Sequence, residues 1–177
     1  IYNVFMFSNP VKNLKAFGLK EDDIVADLGA GTGYYSIPAG YLVPKGKVYA
    51  IEIVKDFLET IRHKVKEARL NNVEVIRGNV EKLGGTKIGD SIANAIVASN
   101  ILFEIEDKEQ FILELKRVLK RGGKVLLIDW RGESAYFEFK LSIPEDKALE
   151  MFEKKGFTLE RKIDAGEHHY GMILTKN

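Results

Sequence analysis

Short apolar runs alternate with longer amphipathic runs along most of this chain, and that rhythm restricts the fold more than any other feature. The runs at 23–28, 48–53, 73–77, 95–99 and 124–130 have strand length. Several are apolar throughout, the pattern of strands covered on both faces. Of the stretches between them, 55–70 sets Phe57, Leu58, Ile61, Val65 and Ala68 on one helical face. Another, 107–119, does the same with Phe111, Leu115, Val118 and Leu119. Asp107 is placed to cap the second helix, Lys120 and Arg121 complement its negative end, and Gly122 fits its stop. Strands and helices alternating at this spacing predict a parallel sheet with helices on both faces.

The rhythm changes in the last third. Ser142, Ile143, Pro144 and Glu145 read as a capping box that opens a helix to about Lys155, ended by Gly156. Strands at 157–163 and 170–175 follow, and the link 164–169 is short enough to favour an antiparallel hairpin over a crossover. At the other end, 2–7 is rich in aromatic residues and 9–17 fits a short leading helix. The expectation is one α/β domain, a size that suits 177 residues. It would comprise a leading segment 1–20, a core 21–130, and a terminal helix and hairpin 131–177.

Composition narrows the partners. The net charge is +1, from 27 basic and 26 acidic residues, so no global field draws the chain to nucleic acid or an anionic membrane. With no cysteine, disulfides, thiolate metal sites and a cysteine nucleophile are excluded. No apolar run has the length of a membrane-spanning helix. A cytoplasmic protein without a membrane partner is the expectation.

The sharpest local signal is Asp27-Leu28-Gly29-Ala30-Gly31-Thr32-Gly33-Tyr34, where a buried strand runs into three alternating glycines and then a helix. Glycines let the backbone come close to a ligand, and a helix start offers free N–H groups. A dinucleotide loop wants Gly-x-Gly-x-x-Gly, but Tyr34 stands where the third glycine belongs. A P-loop wants Gly-Lys-Ser/Thr, which is absent. Asp27 would sit badly beside a pyrophosphate and suits a cationic group, such as the amino group of a methionine moiety. Glu52 ends the second strand about twenty residues on, where a carboxylate accepts from ribose hydroxyls. Nicotinamide enzymes share that acid. Gly78-Asn79-Val80, after the third strand, pairs a small residue with a polar one, which fits either a contact to an adenine edge or an ordinary turn.

Together these residues resemble the class I S-adenosylmethionine (SAM)-dependent methyltransferase family, in particular its small bacterial and archaeal members, over about 11–176. Asp27, Gly29, Gly31 and Gly33 are similar to the motif that cradles the methionine part of SAM, and Glu52 to the ribose-binding acid. Gly78-Asn79 falls where the family often has Gly-Asp. The stretch 95–103 resembles the motif at the substrate side, with Asn94 where Asp is common. The run from Val118 to Lys124 resembles the Leu-Lys-Pro-Gly-Gly turn before strand five, with Arg121 for proline. The resemblance implies a Rossmann-like three-layer sandwich with a seven-stranded, mostly parallel sheet and a C-terminal antiparallel hairpin. It also implies SAM as cofactor, S-adenosylhomocysteine as product, and methyl transfer. Asp27, Gly29, Ala30, Gly31, Gly33, Glu52, Ile53, Asn79, Val80 and Ser99 are then the cofactor-binding candidates. A non-catalytic SAM-binding module and a nicotinamide-dependent oxidoreductase stand as alternatives.

Ligands of open α/β sheets sit beyond the carboxyl ends of the strands. That edge brings Asn100, Phe103, Trp130 and Tyr170 to the substrate pocket, with plain core an equal reading for Trp130, and Asp129, His168 and His169 are candidate catalytic groups. A base is needed only if the acceptor must lose a proton. Adjacent histidines on a strand point to opposite faces, so no metal is expected. A small-molecule acceptor fits best, because no dedicated protein- or RNA-recognition domain is visible; a protein or RNA acceptor stands as the alternative. The basic cluster Lys116, Arg117, Lys120 and Arg121 reads as a solvated face, with RNA binding the sharper alternative. His63 falls outside the apolar face of its helix and is expected at the surface.

Overall fold

The structure, a computed structural model, describes residues 8–131 and 142–177; the aromatic-rich 2–7 stretch lies outside them. In chain order the elements are α1 (Pro10–Phe17), β1 (Ile24–Leu28), α2 (Ser36–Leu42), β2 (Lys47–Glu52), α3 (Lys55–Glu67) and β3 (Val73–Arg77). They continue with β4 (Ala93–Ser99), α4 (Lys108–Val118), β5 (Leu119–Trp130), α5 (Glu145–Glu153), β6 (Phe157–Ile163) and β7 (His169–Lys176). The seven strands form one sheet in the order β3-β2-β1-β4-β5-β7-β6. β1 to β5 pair in parallel, and β7 lies antiparallel between β5 and β6. The fold is therefore the Rossmann-like α/β sandwich expected from the sequence, with its antiparallel terminal pair.

Alternation along the central strands builds two cores. In β5, Val125 and Leu127 face one cluster with Phe111 and Leu115 of α4 and Phe152 of α5. Leu126 and Ile128 face the other, with Leu14 and Phe17 of α1 and Ala39 of α2. Ile61 of α3 packs on Ala50 of β2. A strand buried on both faces cannot show polar alternation, which is why these runs read as continuously apolar. The direction of strand order reverses between β1 and β4. Their carboxyl ends open the crevice where open α/β sheets bind ligands.

The helix ends depart from the sequence reading. α1 behaves as its caps dictate: Asn9 accepts from the Lys12 N–H, Pro10 opens the first turn, and Gly18 closes it in a left-handed conformation. In α4, Asp107 accepts from the Gln110 N–H as expected, but the helix stops at Val118. Leu119 is already extended and pairs with Ala93. Lys120 and Arg121 thus belong to β5, and Gly122 (φ +71°) serves the register shift before Lys124. α3 ends at Glu67, ahead of left-handed Arg69. Phe57, placed in the core by helical phase, is 40% exposed. The capping box at Ser142 does not form. Pro144 takes the cap position with no side-chain bond, so Ser142 lies two residues too early to reach the first turn.

Candidate functional site

At the carboxyl edge of β1, β2 and β4 lies a cavity of about 630 Å³, within the range of about 300–1,000 Å³ common for small-ligand sites. Its floor is the loop after β1. The N–H groups of Gly29 and Ala30 both donate to Ile51 O at 2.9 Å, which fastens the loop to β2. Gly29 has φ +74°, a left-handed backbone that strains any other residue, and a Cβ there would meet the tip of Ile101, so glycine suits the position. The loop does not run straight into a helix, as the sequence had implied. The chain first coils through Gly33 N–H to Ala30 O, and α2 begins at Ser36.

Two acids face this loop. Asp27 is 3% exposed and accepts from Ser36 Oγ at 2.5 Å. Burial pushes its carboxyl up from an ordinary 3.8 to about 7; the Ser36 bond opposes this and the charge of Glu52 adds to it. Glu52 is fixed by backbone donors. Oε1 accepts from Ile53 and Val54, and Oε2 accepts from Gly31 at 2.8 Å. After β3, Asn79 Oδ1 accepts from the Glu81 N–H. At the end of β4, left-handed Asn100 donates its N–H to Ile128 O, and its buried Oδ1 has no hydrogen-bond partner among the described residues.

The cavity brings together Asp27, Gly29, Ala30, Gly31, Glu52, Ile53, Asn79, Val80, Ser99 and Asn100. Gly33 does not line it. The sequence reading passed over Tyr34, Tyr35, Phe57, Ile101, Glu104 and Ile105, which also do. The 101–105 turn follows β4 at the ligand edge, and that position was its available signal. Phe57 was hidden because helical phase alone assigned it to the core.

A second group stands at the ends of β5 and β7, outside the described lining of this cavity. Asp129 pairs in register with Tyr170, and Trp130 with His169. The Trp130 and His169 rings lie 4.1 Å apart, tilted by 36°. Asp129 is fully buried and accepts from the N–H groups of Leu102 and Trp130, so it anchors the turn that carries Ile101 and Ile105. Burial raises its carboxyl to about 6, against those backbone bonds. Burial and then the neighbouring His168 push His169 down to about 4, so its ring is neutral near pH 7. His169 Nε2 and the Tyr170 hydroxyl are buried without partners among the described residues. Burial, then Asp129 and Glu145, hold the Tyr170 phenol far above its ordinary range. Phe103 is half-buried and His168 likewise.

The basic cluster is not one solvated face. Arg117 is turned inward to Glu114, Asp90 and Ile88 O. Lys116 donates to Lys155 O and Lys120 to Asn94 Oδ1. Asn94 also accepts from the Ile24 N–H, tying the starts of β1 and β4. His63 is exposed beside Glu67.

Residues 19–170 match the family model described as a methyltransferase domain. The chain belongs to that family. A crystal structure of a SAM-dependent methyltransferase from Aquifex aeolicus superposes with a TM-score of 0.88 at 29% identity, covering 97% of this chain and 91% of that one. A probable cobalt-precorrin-6B C(15)-methyltransferase (decarboxylating) of Sulfolobus acidocaldarius is 35% identical over 102 residues, covering 57% of this chain and 50% of the relative. A demethylmenaquinone methyltransferase of Listeria welshimeri is 27% identical over 197 residues, covering 90% and 82%. The match thus spans half the length of the Sulfolobus relative and most of the Listeria one. The chain is a class I SAM-dependent methyltransferase domain, its cofactor is SAM, and the nicotinamide alternative is set aside. Among the described residues, no helix of this methyltransferase is long and apolar enough to cross a membrane.

The cavity fits such a cofactor on its own terms. It has a backbone cradle at Gly29, a buried acid at Asp27 for an ammonium, a fixed acid at Glu52 for hydroxyls, and the unpartnered amide oxygen of Asn100.

Proposed function

We propose that this domain transfers the methyl group of SAM to a small-molecule acceptor, with 21–130 holding the cofactor and the 131–177 part bordering the acceptor. The observation that carries the reading is the convergence of Asp27, Gly29, Glu52, Asn79 and Ser99, from separate strand ends, on one cavity. Both curated relatives are named for small-molecule acceptors, which supports that class.

SAM supplies a methyl group already activated on a sulfonium, so the protein's work is holding, aligning and excluding water. In this reading Asp27 takes the amino group, the backbone of Gly29, Ala30 and Gly31 takes the methionine part, and Glu52 takes the ribose; Gly33, outside the lining, shapes the loop. A carboxylate has about four acceptor positions, and backbone N–H groups already use three on Glu52. Two ribose hydroxyls would therefore replace one of the three backbone bonds, from Gly31, Ile53 or Val54. Ile53 and Val80 flank the adenine. Asn79 reads its edge with the acceptor capacity left after the Glu81 bond, and Ser99 closes the methionine end.

On the acceptor side stand Asn100, Phe103, Trp130 and Tyr170. Of the proton-accepting candidates Asp129, His168 and His169, Asp129 at about 6 is better poised than His169 at about 4. Asp129 also positions the 101–105 turn. Calorimetric titration with SAM, S-adenosylhomocysteine and NADH tests the reading. SAM and S-adenosylhomocysteine bind and NADH does not; NADH binding without SAM binding overturns it.

A further inference from the structure

We infer that Glu104 is a specificity-determining residue of the cofactor cavity, whose carboxylate favours the sulfonium-bearing cofactor over its uncharged-sulfur product. This rests on the reading that the cavity takes SAM.

The charged side chains among the described lining residues are Asp27, Glu52, Glu81 and Glu104, acids without a single base. Three of them are engaged. Asp27 is bonded to Ser36, Glu52 to three backbone N–H groups, and Glu81 Oε2 to the N–H groups of Glu106 and Asp107. Among the described residues, the Glu104 carboxylate accepts no hydrogen bond and joins no ion pair. Its backbone is nonetheless held. Its N–H donates to Ile101 O at 2.9 Å, neighbouring Ile105 is buried and donates to the same oxygen, and Leu102 is pinned to Asp129. An unpaired acid on a held turn at the rim keeps its negative charge at the cavity mouth, uncancelled by a partner.

Its neighbours show where that charge is felt. Burial and then Glu52 raise the Glu104 carboxyl, and Glu104 in turn contributes to the raised carboxyl of Asp129. Glu104 therefore lies within electrostatic reach of both the ribose acid and the acid beside the acceptor. SAM and S-adenosylhomocysteine differ by one methyl group and one positive charge. With no cation lining the described cavity to offset it, the Glu104 charge acts on that difference. It strengthens cofactor binding and leaves the product unaffected, which favours product exchange.

The test is the ratio of dissociation constants for S-adenosylhomocysteine and SAM by calorimetry, in the wild type, Glu104→Gln, Glu104→Lys and the charge-conserving Glu104→Asp. Glu104→Gln lowers the ratio about threefold, the size of a partly exposed charge contact, through weaker SAM binding alone. Glu104→Lys lowers it further, and Glu104→Asp keeps it. High salt lowers the wild-type ratio more steeply than that of Glu104→Gln, which keeps only the other lining acids. Glu104 is exposed, so the variants fold, which thermal melting verifies. A Glu104→Gln ratio equal to wild type, with SAM still bound, overturns the inference. A wild-type protein that binds neither compound overturns the SAM reading itself.

Discussion

Two buried acids in this methyltransferase have opposite fates. Glu114 and Asp27 are both almost fully removed from solvent, at 0% and 3% exposure. Burial alone would raise Glu114. Hydrogen bonds from Arg117, Thr86 and the N–H groups of Gly84 and Thr86 outweigh that and hold it at about 2. Asp27 has one side-chain donor, Ser36, and rests at about 7. Glu114 is satisfied by the protein and ties α4 to the 84–90 turns, outside the cavity lining. Asp27 is left incompletely satisfied inside the cavity. A buried acid with every partner supplied holds a fold together, whereas one short of partners is poised for a ligand.

The largest effect should come from breaking the satisfied acid. Arg117→Met leaves Glu114 buried without its bidentate partner and is expected to cost about 3–5 kcal/mol of unfolding free energy, measured by urea titration. The Glu114 carboxyl is depressed in the folded state, so its contribution is present above about 4.5 and is lost as pH falls toward 2. Arg117→Met should flatten that acid limb. If Arg117→Met instead cost under about 1 kcal/mol, a typical surface pair, the contrast with Asp27 would collapse.

The next effect falls on binding. Asp27→Asn keeps the shape and the Ser36 contact but removes the charge. SAM affinity should drop by about 2 kcal/mol, or roughly thirtyfold, as for a charged hydrogen bond. The folded pKa of Asp27 is raised, so the free protein loses stability as pH rises from about 4 through about 7. The variant lacks that loss and should melt no lower than wild type at pH 8. Stability and affinity thus separate at Asp27 and would not at Glu114. The same titration gives a third expectation. Wild-type SAM affinity rises with pH, approaching tenfold per unit below about 7, and levels off above it. Asp27→Asn should abolish the slope, read by calorimetry from pH 5.5 to 8.5.

The contrast also marks what the sequence made legible. The strands and their order class were readable because burial on both faces leaves continuous apolar runs such as Val125 to Ile128. Asp27, the glycines and Glu52 were readable because a strand end, a loop and an acid at fixed spacing form one local signature. Glu114 was not, because its partners Gly84 and Thr86 lie about thirty positions away and the sheet topology brings them together. For the same reason Arg117 looked like a solvated cation. Glu104 was unreadable because nothing local distinguishes an unpaired rim acid from a solvated one. Ser142 misled because a capping box depends on register within a turn, and Pro144 set that register two residues later.

The smallest expected effect lies at His169, which tests whether burial without a ligand charge behaves as it does at Asp27. Desolvation disfavours the charged form of either residue, so it raises an acid and lowers a histidine. His169 should therefore be protonated only near pH 4, well below its ordinary 6.5. Its contribution to stability is then lost as pH falls from about 6.5 toward 4. Trp130 is the single tryptophan of the chain and its ring lies 4.1 Å from the imidazole. Imidazolium formation against that ring should quench its fluorescence, with a midpoint near pH 4 in the wild type and none in His169→Asn. A midpoint near 6.5 would mean that the His169 ring is solvated. That result would also restore His169 as a proton acceptor at neutral pH and weaken the preference for Asp129.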